Sequence, residues 1–290
     1  MLSRVRAPMD AHSPTRRVRR TGLAAFAWWV PAVLLIPAAV PAPLAGQISV
    51  DQAELYLQPQ AASANVTSFN VRNESNQTVE ATVYVMDWTR DEDGQNQFVP
   101  AGSQPQSCFP YLRVFPLSLR LDPGTQQAVR IGLQGADSLP ATCWSIIFVE
   151  AGSGGATSGR RVSYVMRLGV KLYITPSGLS KDGEVEDMSI DTLPAGAKAP
   201  ADTAKEPHVH VAFRNSGGLP YWVHGSVEYR RLDNSVAATD SVTSFPILPG
   251  ARRRFATLVP KLPAGHYVAL VLLDYGGAEV AAGQLPLDVP

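Results

Sequence analysis

The sequence predicts an all-β chain in which two β-sandwich domains follow one another. Apolar and polar residues alternate with the two-residue period of a strand in several segments, whereas no segment after residue 46 keeps a helical period over about 11 residues. Prolines and glycines recur about every 8 to 12 residues, which is the spacing of turns in an all-β sandwich. We therefore expect two immunoglobulin-like β-sandwich domains in tandem.

The clearest strand covers Val79–Trp88, where Val79, Ala81, Val83 and Val85 fall on one face. A short, wholly apolar run, Ile-Ile-Phe-Val, predicts another strand. Further strands are predicted at Val129–Leu133, after a turn at Asp122–Gly124, at Ile146–Val149 and at Arg161–Thr175.

The second half of the chain repeats the plan of the first. Val211–Asn215 resembles Phe69–Asn73 in its alternation and its final asparagine, and Leu248–Gly250 matches the Pro-Gly turn of Asp122–Gly124. Two copies of one sandwich explain both matches. We place the first domain at residues 47–176 and the second at residues 177–290.

The first 46 residues have the composition of a secretory signal peptide. Six arginines between Arg4 and Arg20 precede an apolar run, Leu23–Val40, and small residues and prolines close it. We expect cleavage after Ala45 or Gly46 and export of the remainder, without stable insertion in the membrane. The alternative is an uncleaved anchor, since 18 apolar residues just span a bilayer.

Charge and cysteine content narrow the function classes. The leader holds six of the 25 basic residues and one of the 25 acidic residues, so the chain from Gln47 carries 19 basic and 24 acidic residues, a net charge of −5. This balance argues against a nucleic-acid partner, which requires a basic stripe. The two cysteines, Cys108 and Cys143, are expected to form a disulfide in an exported protein.

No motif supports catalysis, a metal site or a cofactor, and we expect a protein that is not an enzyme. His208 and His210 share one face of a strand and suggest zinc only if a third ligand joins them, so solvated histidines are the default. Asp91–Gly94 resembles the start of a calcium loop but lacks its closing glutamate, which favours a hairpin turn. Arg252–Arg254 is either a solvated strand end or a contact for an acidic partner or a membrane headgroup.

The order of the elements resembles that of periplasmic pilus chaperones of the PapD-like family. Together the matching stretches cover most of the chain from Gln47 to Val289. They are Phe69–Asn73, Val83–Trp88, Pro116–Gly124, Val129–Ile131 and Val170–Ile174 in the first half, and Leu262–Tyr267 and Leu273–Gly277 in the second.

The resemblance implies a periplasmic chaperone that stabilises fimbrial subunits by donating a β-strand for pilus assembly. Its partners would be a pilus subunit and an outer-membrane usher, and a second copy of the chain is the alternative that would cap the donated edge. Val162, Tyr164, Met166 and Leu168 alternate along one strand as donation requires, although the same pattern fits the inward face of a sandwich strand. A structural or adhesive envelope protein built of similar modules is the alternative function.

The resemblance also implies that Lys171 binds the terminal carboxylate of the client. Members of the family usually add a basic residue from the first strand, and the nearest match here is Glu54. An acid at this position repels a carboxylate. Either the match is shifted by a few residues, or the chain holds its client differently, or it is a divergent member of the family with another client.

Overall fold

In a computed structural model, residues 48–59, 66–152, 165–192 and 206–289 are described, and over these ranges the chain forms seventeen β-strands and no α-helix. The strands build two pairs of facing sheets, each pair with an apolar core. The predicted all-β fold of two immunoglobulin-like sandwiches is therefore confirmed. None of the described segments is a helix long and apolar enough to cross a membrane.

The first sandwich packs a four-stranded sheet on a six-stranded sheet. The core lies between them and includes the fully buried Phe69, Val71, Val129 and Ile131. The four-stranded sheet has the order β1 (Ile48–Val50), β3 (Val66–Asn73), β8 (Gln126–Leu133), β6 (Leu112–Phe115). The other has the order β2 (Glu54–Leu57), β10 (Val165–Ile174), β9 (Cys143–Gly152), β4 (Val79–Arg90), β5 (Asn96–Pro100), and β7 (Ser118–Leu121) also pairs with β4.

The second sandwich packs a three-stranded sheet on a four-stranded one. Val209, Phe213, Val227 and Tyr229 are fully buried between them, as expected for the inward positions of alternating strands. The three-stranded sheet has the order β11 (Gly183–Thr192), β12 (Pro207–Asn215), β15 (Arg252–Leu258). The four-stranded sheet has the order β14 (Val236–Ile247), β13 (Tyr221–Arg231), β16 (Gly265–Asp274), β17 (Ala281–Val289).

The internal repeat seen in the sequence has the same hydrogen bonds in both halves. Asn73 and Asn215 are both fully buried at the end of a strand. The carbonyl of Asn73 accepts from the N–H of Gly124 at 3.1 Å, and that of Asn215 accepts from the N–H of Gly250 at 3.0 Å. Each asparagine thus joins the end of one strand to the Pro-Gly turn that opens another, which explains why both motifs recur together.

The predicted disulfide between Cys108 and Cys143 is present. Their Cα atoms are 5.1 Å apart, and both residues are buried in the first core. The bond ties the short turn before β6 to the first residue of β9. It therefore crosslinks the loop region between β5 and β6 to the strand at the centre of the six-stranded sheet.

Candidate functional site

Strand β10 offers an open edge in the first sandwich. It pairs with β9 along its whole length, Val165–Ile174, but with β2 only over Lys171–Ile174. Among the strands described, none pairs with the other edge of Val165–Val170. An unpaired edge presents free backbone N–H and C=O groups, which proteins usually protect because a second strand can add to them.

The backbone groups that face this edge follow from the alternation of a strand. The N–H of Lys171 donates to the carbonyl of Ala53 at 2.9 Å, so it points towards β2 and away from β9. Residues two, four and six positions earlier point the same way, since successive backbone groups alternate between the edges. Val165, Arg167 and Gly169 therefore direct their N–H groups to the open edge.

Only part of the predicted donor face lies in the described residues. Val162 and Tyr164 fall outside them. Met166 and Leu168 are partly buried and pack against the first core, in line with the buried Val170. These two side chains lie on the inward face of β10, the alternative that the alternating pattern left open, and their use in binding a client stays a prediction.

The outward face of the same sheet is aromatic. Phe148 lies at its centre, with ring centroids 5.7 Å from Tyr84 and 5.1 Å from Phe98. Gly169 on β10 makes room for this layer, because a Cβ there would lie 2.6 Å from Cδ1 of Ile146 and 3.0 Å from Cε1 of Phe148. The sheet is thus apolar on both faces at β9.

The second sandwich contacts this outward face. Leu248 packs on it, and polar contacts flank the apolar ones. Arg90 Nη1 donates to the carbonyl of Pro246 at 3.1 Å, and Thr142 Oγ1 donates to the carbonyl of Gly218 at 2.6 Å. The buried apolar cluster is made of Trp88, Trp144, Ile146, Phe148, Tyr173 and Leu248.

Lys171 lies at the edge of this cluster and is paired with Glu54. The two residues are register partners across β2 and β10, and Nζ of Lys171 is 3.4 Å from Oε1 of Glu54. Nζ also lies 5.0 Å from the ring centroid of Trp88. The predicted carboxylate anchor therefore has an acidic residue in direct contact.

Two tyrosines complete this charged corner. The hydroxyl of Tyr56 donates to Oε2 of Glu54 at 2.7 Å, and its ring stacks on Tyr173 with centroids 4.8 Å apart. Burial, followed by the hydrogen bond to Glu54, raises the pKa of Tyr56 well above its usual value. Burial, with the nearby Glu54 charge, likewise raises the pKa of Tyr173.

The other candidates from the sequence are the histidine pair, the acidic turn and the arginine triplet, and each has contacts typical of a structural role. The rings of His208 and His210 are 6.4 Å apart, and no group of three metal-ligating side chains occurs among the described residues. Asp91–Gly94 forms the predicted hairpin turn, in which the N–H of Gly94 donates to the carbonyl of Asp91 at 3.0 Å. Arg252–Arg254 contacts that hairpin, through Glu92.

Sequence reasoning missed the aromatic outward face. The signal was available, because a strand that is apolar at consecutive positions is covered on both sides. The apolar run Ile146–Val149 predicts such a strand, and Tyr84, Met86 and Trp88 alternate on the outward side of β4 beside it. The covering partner could not be read from the pattern.

Neither a protein-family model nor a curated protein matches the sequence. Solved structures to which the chain is similar include several fimbrial chaperones. CfaA, a chaperone of class 5 fimbriae, is 14% identical over 84% of this chain and 99% of that chain, with a TM-score of 0.47. The CsuC–CsuE pre-assembly pair, chaperone and tip adhesion subunit of the archaic Csu pili of Acinetobacter baumannii, is 11% identical over 82% of this chain and 97% of that chain, with a TM-score of 0.44. The Pseudomonas aeruginosa CupB2 chaperone is 18% identical over 83% of this chain and 100% of that chain, with a TM-score of 0.36.

Proposed function

We propose that this chain is a periplasmic chaperone that binds fimbrial subunits through the open edge of β10 during pilus assembly. The observation that carries the proposal is the edge of Val165–Val170, with which none of the described strands pairs, on a strand that β9 pairs along its whole other side. An incoming strand would gain main-chain hydrogen bonds from three outward N–H groups and their neighbouring carbonyls. An outer-membrane usher is the expected second partner, and the leader would deliver the chain to the periplasm.

Side chains near the edge give the contact its selectivity under this proposal. Val165 is 63% exposed and supplies an apolar contact next to the open backbone. Val162, Tyr164, Met166 and Leu168 hold the alternate positions of the same strand, and they would supply the apolar contact on its other face. Arg167, which lies 5.0 Å above the ring of Phe148, places a charge on the edge and so opposes uncontrolled strand addition.

The test replaces one backbone donor and leaves the sandwich ladder intact. Arg167→Pro removes an N–H that points to the open edge, and proline is tolerated on an edge strand when its missing N–H faces outward. We expect this variant to fold and to lose co-purification with candidate fimbrial subunits encoded near its gene. Arg167→Ala is the matched control, because it removes the same side chain but keeps the N–H.

Circular dichroism and the intact disulfide would show that both variants fold. If Arg167→Pro captures subunits as well as Arg167→Ala does, the edge is not the binding surface and the proposal fails. If the alanine variant alone already abolishes capture, binding depends on the guanidinium rather than on strand addition. A chain that folds and captures no subunit even without substitution favours a structural envelope role.

A further inference from the structure

The hairpin that joins β4 to β5 reaches the second sandwich. Its tip, Asp91–Gly94, is held rigidly by its own side chain: Oδ1 of Asp91 accepts from the N–H of Asp93 at 3.1 Å and from that of Gln95 at 2.8 Å. The tip contacts the first three residues of β15, Arg252–Arg254. Two motifs that are far apart in the sequence, an acidic turn and an arginine triplet, thus meet in the fold.

All three arginines contact the same residue of the hairpin. The backbone N–H of Arg254 donates to the carbonyl of Glu92 at 2.8 Å, and Nη1 of Arg253 donates to the same oxygen at 3.2 Å. The carboxylate of Glu92 lies 2.7 Å from Nε of Arg254 and 3.6 Å from Nη1 of Arg252. Glu92 therefore receives both main-chain and charged contacts from the second sandwich.

The shape of the turn matches the guanidinium of Arg253. This group lies 5.7 Å from the ring centroid of Phe245 on one side and against Gly94 on the other. Gly94 has a φ of +84° and no side chain, and a Cβ at this position would collide with Nη1 of Arg253. Glycine is thus required at position 94 for two reasons: the turn needs a positive φ there, and a side chain would displace the guanidinium of Arg253.

We propose that Asp91–Gly94 and Arg252–Arg254 form a latch that fixes the angle between the two sandwiches. Domains joined by a short segment and a modest interface ordinarily move relative to one another. A single exposed ion pair does little to prevent this. The carbonyl of Glu92 accepts from the backbone N–H of Arg254 and from the guanidinium of Arg253, while its carboxylate contacts the guanidinium groups of Arg254 and Arg252. Together these contacts define one geometry, because hydrogen bonds and guanidinium–oxygen pairs are directional.

The latch acts at a distance from the open edge of β10 and does not depend on the proposed client. It sets the position of the second sandwich against the aromatic outward face, near Trp88 and Tyr173. Loss of the latch should therefore change the spread of inter-sandwich angles while each sandwich stays folded.

Spin-label distance measurements can test this inference on the full exported chain. The described cysteines are both in the disulfide, so labels at Gln127→Cys and Ala282→Cys, one exposed site in each sandwich, react selectively. We expect a single narrow distance in the parent chain and loss of that single distance, through broadening or a shift, in Glu92→Arg. Glu92→Gln should broaden it less, because glutamine removes the charge but keeps a side-chain oxygen and adds no cation beside the three arginines, whereas arginine repels them.

The matched control is Glu80→Arg, which reverses a charge in an exposed ion pair with Arg120 on the same sandwich, at 2.9 Å. This control should keep the narrow distance. Adding Arg254→Glu to Glu92→Arg should restore it in part, because the charge pair is rebuilt with opposite polarity. A narrow, unshifted distance in both Glu92 variants overturns the latch, as does equal broadening in Glu80→Arg.

Discussion

Reducing the Cys108–Cys143 disulfide should weaken the first sandwich and leave the second largely unaffected. The two residues are 35 positions apart, and closing a loop of that length stabilises the folded state by about 4 kcal/mol in the chain-entropy model. With a urea dependence of about 2 kcal/mol per molar, the unfolding midpoint should fall by about 2 M. Reduction removes no atoms, so no cavity contributes to this value.

Tryptophan emission can follow the two sandwiches separately. Trp88 and Trp144 belong to strands of the first sandwich and are buried in the cluster that includes Leu248 of the second, and Trp222 lies in the second sandwich and is 47% exposed. A chain that begins at Gln47 and carries Trp222→Phe reports the first sandwich alone, and the reverse variant, with Trp88 and Trp144 replaced by Phe, reports the second. A midpoint shift below about 0.5 M in the first sandwich would show that the loop is already constrained in the unfolded state. Equal shifts in both would show that the sandwiches unfold as one unit.

Two further predictions concern the repeat and the anchor. Asn73→Ala and Asn215→Ala should each lower the free energy of unfolding of their own sandwich by about 3 kcal/mol, because buried carbonyls and N–H groups lose their partners. Urea unfolding measures this, and a decrease below about 1 kcal/mol for either variant would contradict the prediction. If Lys171 holds the terminal carboxylate of a client, Glu54→Gln should tighten the binding of a peptide from the carboxyl end of that client, and Lys171→Ala should abolish it. An amidated peptide that binds equally well would refute the anchor.

The sequence predicted those parts of the fold that depend on local period. The alternation in Val79–Val85 gave the inward face of β4, and the Pro-Gly turns marked the starts of β8 and β15. The side-chain period of a strand has only two faces, so a clear alternation leaves one register. The disulfide was predicted because the sequence has two cysteines and a leader that predicts export.

Contacts between distant segments could not be predicted in the same way. Glu92 and Arg254 are held together across the two sandwiches, and neither lies in a periodic pattern that points to the other. The same holds for the packing of Leu248 on Trp144 and Tyr173. Such contacts depend on the angle between the two domains, and that angle cannot be predicted from the residue pattern of any single strand. The pairing of Lys171 with Glu54 is an intermediate case, because the family resemblance suggested their proximity and the strand register places them together.

The open edge and the stability of β10 have separate origins. Strand β10 is held extended without a binding partner in two ways. It pairs with β9 along its whole length, and it packs inward through Met166, Leu168 and Val170. A strand that is already ordered loses little conformational entropy when a second strand adds to it. Preorganisation of β10 would therefore favour strand addition. The backbone groups on its open edge need not contribute to the folding of the sandwich. This separation is why removing the outward N–H of Arg167 should change binding without changing stability.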